Sequence, residues 1–374
     1  MDYLLCEKML VIIVLVFFSN RIPNVAAANA TYPALFAFGD SILDTGNNND
    51  RWTLTKCNHH PYGRDFEGEI PSGRFCNGKV PTDIIAGALG IKQTVPAFQL
   101  HDNITVDDLA TGVCFASGGS GNDDFTAEFL GVIKLSDQLE NFKAYIQNLD
   151  AAIGPQKVAS IISNGLYLVS AGNNDIAITY SYNILRGTMD FQTYADNLAL
   201  WASDFLNSLY QLGARHVWVL STLPLGCLPS TRTLQGGLPF RPCSDKLNNE
   251  SVYFNSKLEE KISTLKNQTN LPNFDVRFID VYNPILELMQ NAASKGFTNV
   301  ANGCCGTGVI ELGPLCNSFD ILCQNTSSYF FWDAAHPTQR AYELIVDDIL
   351  KANNISSSFN YSPTTSTSAC LDVL

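Results

Sequence analysis

Positive charge is scarce in this chain. Its 374 residues include 23 Lys and Arg against 36 Asp and Glu, which gives a formal net charge of −13. A nucleic-acid-binding surface needs clustered Lys and Arg to neutralise phosphates, and attraction to an anionic membrane depends on the same residues. The composition therefore argues against both partners, while 46% hydrophobic residues over this length suffice for a large folded core.

Long hydrophobic runs are also lacking. The apolar run at residues 9–18 has ten residues, whereas a membrane-spanning helix needs roughly 20. Small residues follow it and offer A-x-A-like cleavage sites near Ala27 or Ala28. We therefore expect residues 1–28 to be a secretory signal peptide and the protein to be secreted. An uncleaved anchor is the alternative, because two acidic residues offset Lys8.

The four cysteines within residues 304–323 include no C-x-x-C pair and have no nearby His at ligand spacing, which argues against a zinc site there. Of the 11 cysteines, Cys6 lies in the expected signal peptide and ten remain. An even number in an oxidising compartment indicates disulfide bonds, whose pairing the sequence leaves open. Four of them cluster in one loop-like region: Cys304, Cys305, Cys316 and Cys323.

Asn-x-Ser/Thr motifs follow the expected signal peptide. In a secreted protein each can accept an N-linked glycan if it lies in an exposed loop. We treat them as candidate glycosylation sites and leave their occupancy open. The seven motifs begin at Asn29, Asn103, Asn249, Asn267, Asn325, Asn354 and Asn360.

No internal repeat or long linker divides the chain. Strand-like apolar runs alternate with amphipathic segments, a pattern typical of a parallel sheet covered by helices on both faces. The candidate strands are 34–38, 112–116, 166–170, 217–221 and 276–281, and the candidate helices include 80–89, 136–148, 190–212, 248–266, 284–295 and 338–352. We expect one α/β domain over residues 29–354 and a Ser/Thr-rich tail over 355–374.

Three candidate strands end in glycine and small polar residues. These endings are Gly39-Asp40-Ser41, the segment 117–121 and the segment 171–175. The carboxyl ends of parallel strands meet at one edge, where ligands bind, and glycine permits close backbone approach. We therefore expect a functional site at this edge.

Ser41 lacks the Gly-x-Ser-x-Gly elbow of many serine hydrolases. A serine nucleophile needs a base, and the base needs an orienting acid. Among five histidines, His336 is the best candidate, because Asp333 precedes it by three residues and Pro337 can open a helix. His216 lies at the wrong end of its strand. A turn or capping role for Asp333 is the alternative.

Four blocks of sequence, in order, carry a resemblance to a known family. They are FAFGDSILDTGNNN (36–49), GVCFASGGSG (112–121), VSAGNND (169–175) and FWDAAHPT (331–338). With them the chain resembles the plant GDSL-type esterase/lipases of the SGNH hydrolase superfamily, including secreted extracellular lipase members. The resemblance covers roughly residues 33–352. It implies a flavodoxin-like, three-layer α/β/α sandwich around a central, mainly parallel five-stranded sheet.

The resemblance implies a role for each matched position. The implied triad of nucleophile, orienting acid and base is Ser41, Asp333 and His336. The N–H groups of Ser41 and Gly119 and the side chain of Asn174 are expected to form the oxyanion hole. Gly118, next to Gly119, is left open as the alternative donor.

Asp40 and Asp175 are expected to support these groups from a second layer of residues. One departure from the family pattern is Cys114, where Asn is more usual. This departure puts a structural hydrogen bond in doubt and not a catalytic group. No metal or organic cofactor is expected.

The implied activity is hydrolysis of lipid or other acyl esters through an acyl-enzyme. An acyltransferase with the same triad is one alternative, since an alcohol would then replace water in deacylation. A secreted binding protein with a decayed site is another, but all matched Ser, Asn and His residues are present. No long apolar segment predicts the lid of an interfacial lipase. The physiological ester and the oligomeric state are left open.

Overall fold

A computed structural model describes residues 31–99, 104–184, 186, 188–237 and 239–355. The expected signal peptide and the tail after residue 355 lie outside the described residues. So do the motif asparagines Asn29, Asn103 and Asn360. The described chain forms an α/β structure with ten α-helices and two sheets.

The main sheet is fully parallel, with strand order β1-β2-β3-β4. Both β1 and β2 are buried along their whole length, as expected for parallel strands covered on both faces. Gly39 pairs with Ser170, and Ser170 pairs with Leu220, so the strands end together at one edge. The strands are β1 (Leu35–Gly39), β2 (Leu166–Ser170), β3 (His216–Leu220) and β4 (Asp275–Ile279).

All six expected helices are present, with shifted ends, and four further helices were not predicted. The longest, α6 and α8, begin at side-chain caps, where Asp190 and Ser244 each accept from a backbone N–H of the first turn. The helices are α1 (Pro81–Ala88), α2 (Val106–Ala110), α3 (Asp124–Leu130), α4 (Leu135–Ile153), α5 (Pro155–Asn164), α6 (Phe191–Gln211), α7 (Pro229–Leu234), α8 (Asp245–Lys266), α9 (Tyr282–Gln290) and α10 (Gln339–Ala352).

Helices cover both faces of the main sheet. On one face, Phe38 packs against Phe142 of α4 and Phe205 of α6. On the other face, Ser170 and Leu220 share a small cavity with residues of α1, α9 and α10. The three-layer α/β/α class is therefore confirmed.

The expected five-stranded count is wrong by one. Residues 112–116 lie beside β1, but Ala37 O accepts from both Phe115 N (2.7 Å) and Ala116 N (3.1 Å), so the pairing is not a regular ladder. Cys114 N donates to Pro96 O (2.9 Å) on the side away from β1. The ladder beside β1 is interrupted where Gly39 N donates to Gln138 Oε1 (2.8 Å) and not to this segment, which forms only isolated bridges.

A second, two-stranded parallel sheet was not predicted. It joins β5 (Asn299–Gly303) to β6 (Tyr329–Phe331) and places the segment after β6 beside the carboxyl edge of the main sheet. Its strands are short, and two disulfides close the intervening loop. The three disulfides of the described chain are Cys227–Cys243, Cys304–Cys323 and Cys305–Cys316.

Three cysteines are free and fully buried: Cys57, Cys76 and Cys114. Cys370 lies outside the described residues. The even count of ten therefore does not mean complete pairing, since six of the cysteines that the structure describes are paired. No helix in the described ranges is long and apolar enough to cross a membrane.

Candidate active site

The loop after β1 presents Ser41 at the carboxyl edge of the main sheet. Gly39 has a φ of +117°, and a Cβ there would overlap the carbonyl oxygen of Ser170, so only glycine fits. The carboxylate of Asp40 accepts from Asn173 Nδ2 (2.9 Å), Ser170 Oγ (3.1 Å) and Ile42 N (3.1 Å). Asp40 therefore ties the serine loop to the end of β2 and the loop beyond it.

A hydrogen-bonded Ser–His–Asp chain crosses this edge. His336 Nε2 lies 2.8 Å from Ser41 Oγ, and His336 Nδ1 lies 2.9 Å from Asp333 Oδ2. Asp333 is fully buried, and its Oδ1 also accepts from the backbone N–H groups of Ala335 (2.8 Å) and His336 (2.7 Å). The Asp-x-x-His turn thus brings its own carboxylate back to the imidazole, as the sequence indicated.

Two elements hold the imidazole of His336 in place. Thr338 caps α10 by accepting from Ala341 N (3.3 Å), which fixes the chain two residues after the histidine. The ring of Phe75 lies 5.1 Å from the imidazole, centroid to centroid. With its proton on Nδ1, the imidazole donates to Asp333, because an ionised carboxylate can only accept. Its Nε2 can then accept from the Ser41 hydroxyl.

Tyr62 is a member of this site that the sequence did not reveal. Its hydroxyl donates to Asp333 Oδ2 (2.7 Å) and accepts from the backbone N–H of Gly313 (2.9 Å). Burial raises the pKa of Tyr62 well above its usual value, so the phenol stays protonated and donates. No spacing rule pointed to it, because it lies in an irregular segment far from Asp333 along the chain.

The groups expected to form an oxyanion hole face one cavity. Ser41, Gly119 and Asn174 all line it, together with His336. Among the described residues, the N–H groups of Ser41 and Gly119 have no hydrogen-bond acceptor. The N–H of Gly118, by contrast, donates to Asp44 Oδ2 (2.8 Å), which favours Gly119 as the oxyanion donor.

A backbone carbonyl, that of Ser120, fixes the orientation of the Asn174 side chain. Its Nδ2 donates one proton to Ser120 O (2.9 Å), and an amide has a second N–H. Asn174 directly precedes a single-turn π-helix, Asp175–Tyr180, a type of turn frequent at functional sites.

Asp175 binds residues that directly follow the glycine-rich segment 117–121 and makes no hydrogen bond with the Asn174 side chain. Its fully buried carboxylate accepts from Asn122 N (2.7 Å), Asp123 N (3.2 Å) and Thr126 Oγ1 (2.6 Å). Burial raises the pKa of Asp175 to about 7. Its support for the candidate oxyanion hole therefore runs through the backbone that follows Gly119.

The segment around Cys114, where the sequence differs from the family pattern, is held in place by hydrogen bonds from Asn47. Asn47 Nδ2 donates to Cys114 O (2.9 Å) and Ala116 O (2.7 Å), and the Cys114 thiol lies 3.2 Å from Leu43 O. A different side chain, from the first sequence block, thus ties this segment to the serine loop.

The cavity beside Ser41 has a volume of about 460 Å³ and a mainly apolar wall. Its polar lining residues are Ser41, Asn173, Asn174 and His336, together with Thr55, Ser230 and Thr231. Its apolar wall includes Leu54, Leu130, Ile178, Leu225, Leu234 and Leu312. In the described ranges, no group of three or more His, Cys, Asp or Glu residues is placed to hold a metal ion.

A buried Ser–His–Asp chain beside free backbone donors, at the carboxyl edge of a parallel sheet, is the arrangement of the serine hydrolases. The family model described as GDSL-like Lipase/Acylhydrolase matches residues 35–349, and the chain belongs to this family.

Similar proteins cover most of the chain. It is 46% identical to the GDSL esterase/lipase At5g42170 of Arabidopsis thaliana, over 86% of each chain. It is 44% identical to the GDSL esterase/lipase EXL3 of the same plant, over 84% of this chain and 85% of the relative. A solved structure of a catalytic mutant of Axe2, an acetylxylan esterase from Geobacillus stearothermophilus, aligns over 86% of this chain and 94% of its own, with a TM-score of 0.38 and 12% identity.

Proposed function

We propose that this protein is a secreted carboxylic-ester hydrolase with Ser41 as nucleophile, His336 as general base and Asp333 as orienting acid. The 2.8 Å contact between His336 Nε2 and Ser41 Oγ carries the proposal, because a base at this distance can take the serine proton. Membership in the GDSL-like family supports it.

The reaction follows from these contacts. Ser41 Oγ attacks the ester carbonyl while His336 Nε2 takes its proton, and Asp333 stabilises the imidazolium. His336 then gives the proton to the departing alkoxide, which leaves as the alcohol and the acyl-serine ester remains. A water molecule repeats the sequence, releases the carboxylic acid and returns the proton to Ser41.

Negative charge that develops on the carbonyl oxygen needs donors that are already in place. The free N–H groups of Ser41 and Gly119 and the second N–H of Asn174 are the proposed donors. Such preorganised donors act without reorganisation cost, and one of them typically contributes roughly 3–4 kcal/mol of transition-state stabilisation.

The proposed substrate is an ester with an apolar acyl group. The wall of the cavity offers hydrocarbon contacts over most of its surface, and Ser41 and His336 are among its few polar residues. Each CH₂ group that leaves water contributes about 0.8 kcal/mol, which corresponds to roughly a fourfold rise in kcat/KM. We expect kcat/KM for soluble p-nitrophenyl esters to rise with acyl length until the cavity is filled.

Ser41→Ala tests the nucleophile. The variant should lose ester hydrolysis and labelling by a fluorophosphonate probe, with its melting temperature close to that of the wild type. Ser230→Ala removes another hydroxyl that lines the same cavity and should still be labelled. Turnover by a folded Ser41→Ala protein would rule out the proposed mechanism.

Secretion is part of the proposal. Three disulfides and the exposed positions of Asn249, Asn267, Asn325 and Asn354 in the structure support it. We propose that the mature protein begins near Asn29 as a single hydrolase domain. N-terminal sequencing of material from the medium, before and after N-glycosidase treatment, tests this; retention of Met1 in a membrane fraction would contradict it.

A further inference from the structure

A second cavity lies between helices α4 and α6. Its volume of about 330 Å³ is within the range of small-molecule binding sites. It shares no lining residue with the Ser41 cavity. We call it the α4–α6 groove, and its lining comes from the segment 122–124, from residues within 135–139 of α4 and from residues within 201–208 of α6.

The apolar residues of the groove belong to the main core. Leu135 and Phe205 are buried, and Phe205 packs against Phe38 of β1 with 5.8 Å between ring centroids. Trp201 is half-buried and packs on the same core. The groove is therefore formed before any ligand arrives, which lowers the entropic cost of binding.

One polar side chain of the groove lacks a partner. Asn122 is 8% exposed, and its Nδ2 has no hydrogen-bond partner among the described residues. The backbone N–H of Asn122 donates to Asp175 Oδ2 (2.7 Å), which fixes the position of this residue. An unpaired buried donor is costly, and a side-chain amide can turn over to present its NH₂ group to a ligand. The groove therefore favours a ligand that carries a hydrogen-bond acceptor.

The carboxylates of the groove restrict the charge of that ligand. Asp123 is neutralised by Arg186, which donates to it from Nε (2.7 Å) and Nη2 (2.9 Å). Asp124 and Asp204 are exposed, and Asp124 Oδ2 accepts from Ser136 Oγ (3.0 Å) across the groove. These two charges repel an anion, and ionised carboxylates accept only from donors. The ligand must therefore also carry donors and must not be anionic.

Hydroxyl groups meet both requirements, because they donate and accept, whereas an ammonium group only donates and a carboxylate only accepts. The face of an indole carries partial negative charge, which attracts the C–H groups on the face of a pyranose ring. We propose that the α4–α6 groove binds a neutral sugar ring. Trp201 is the stacking platform, and Asn122, Asp124 and Asp204 are the hydrogen-bond partners.

Sugar binding at this groove is independent of the proposed ester chemistry, so it is measured on the Ser41→Ala protein. Calorimetric titration uses neutral hexasaccharides of β-1,4-linked glucose, xylose or mannose. At least one of them should bind one-to-one with a Kd below about 1 mM. Hexagalacturonate should not bind, because its carboxylates are repelled. Spermidine should bind more weakly than the sugar, because it has no acceptor for the Asn122 amide.

Two variants locate the binding. Trp201→Ala and Asp204→Ala should each raise the Kd about tenfold or more, through loss of the stacking face and of an acceptor. Asp204 is exposed, so its removal leaves the fold intact even if Trp201→Ala is destabilised. The matched controls should bind as the parent protein does. Trp52→Ala removes an exposed indole that lines neither cavity, and Asp196→Ala removes another exposed carboxylate of α6.

The Trp52→Ala control also provides a direct readout. Of its three remaining tryptophans, Trp218 and Trp332 are buried and Trp201 is not. Acrylamide should therefore quench mainly Trp201, and a saturating neutral hexasaccharide should protect it.

Failure of all three neutral hexasaccharides to bind would overturn the proposal. Equal affinity of the groove variants and their controls would also overturn it, because the sugar would then bind elsewhere. Tighter binding of spermidine than of any sugar would make the groove a cation site, and binding of hexagalacturonate would contradict the charge argument.

Discussion

The hydroxyl of Ser41 stands at one end of a chain of hydrogen bonds that runs through His336, Asp333 and Tyr62 to the amide of Gly313. Every member of this chain is buried or nearly so, which strengthens each hydrogen bond and makes an unpaired member costly. The phenol of Tyr62 therefore couples the carboxylate that orients the base to a loop that lines the cavity.

Tyr62→Phe should lower kcat by about ten- to a hundredfold with little change in KM for a short soluble ester. The substitution keeps the ring but removes a hydrogen bond to a charged group, a contact that contributes roughly 1.5–3 kcal/mol. It should also move the acid limb of the pH–rate profile to higher pH. Without the phenol proton, the charge of Asp333 attracts the imidazolium more strongly.

Tyr167→Phe is the matched control for this prediction. Tyr167 is equally buried, and its hydroxyl donates to Ile162 O (2.8 Å) at the opposite end of the sheet. This variant should lose stability without any movement of the acid limb. If Tyr62→Phe behaves in the same way, Tyr62 is only a packing residue.

Asn174→Ala and Asp333→Asn should fail in different ways. Removal of one oxyanion donor should lower kcat by roughly two to three orders of magnitude at nearly constant KM. Asp333→Asn should cost roughly four orders of magnitude, because the amide favours the wrong tautomer of His336.

The pH–rate profiles of these two variants provide the sharper distinction. The acid limb of Asn174→Ala should coincide with that of the wild type, whereas in Asp333→Asn it should move to lower pH, since a carboxylate no longer favours the protonated ring. If the acid limb of Asp333→Asn does not move, Asp333 is not the partner of His336 and serves only as a turn or capping residue.

At the scale of elements, the carboxyl ends of β1 and β2 bring the candidate site together, and this much was predictable. Both strands are continuous, largely apolar runs; β1 ends in Gly39, and Gly172 lies two residues beyond β2, so their type, ends and shared edge follow from local sequence. The pairing of residues 112–116 was not predictable in the same way, because the hydrogen bond from Gly39 N to Gln138 Oε1, which interrupts the ladder, is a tertiary contact. Tyr62 was missed for a similar reason, since no periodicity surrounds it.

The loop between Cys304 and Cys323 depends on its cross-links. Cys305–Cys316 closes the segment that contains Gly313, and Cys304–Cys323 closes a wider loop around it. Loss of a native disulfide typically costs about 2–5 kcal/mol in small secreted domains. Peptide mapping without reduction should therefore find the three disulfides intact in the secreted protein.

The buried thiols should behave differently from surface cysteines. Burial raises the pKa of Cys57, Cys76 and Cys114, and the thiol form is a poor nucleophile. Iodoacetamide should modify these three residues only after denaturation, as read by mass spectrometry of their peptides. Modification in the native protein, or a disulfide between any two of them, would contradict the observed packing.

At the scale of the whole molecule, the chain is acidic, and several of its carboxylates are buried in the interior. Burial raises the pKa of Asp40 and of Asp44 to about 6 and that of Asp175 to about 7. Each of these groups therefore binds a proton more tightly in the folded protein than in the unfolded chain. Linkage then requires that their stabilising contribution is present at low pH and lost as pH rises through the folded pKa.

Between pH 5 and pH 7.5 the free energy of unfolding should therefore fall as the pH rises, and Asp175→Asn should show a shallower fall. The native pKa of Asp175 near 7, against the ordinary 3.8, amounts to at most a few kcal/mol over this window. Urea unfolding at several pH values measures the slope, with Asp50→Asn, an exposed carboxylate, as the control. The neutral amide cannot titrate, so wild type and variant should differ most above pH 7 in the variant's favour. Parallel plots of unfolding free energy against pH for wild type and variant would mean that Asp175 is ionised in the folded protein throughout this range. Its charge would then be stabilised by the donors of Asn122, Asp123 and Thr126.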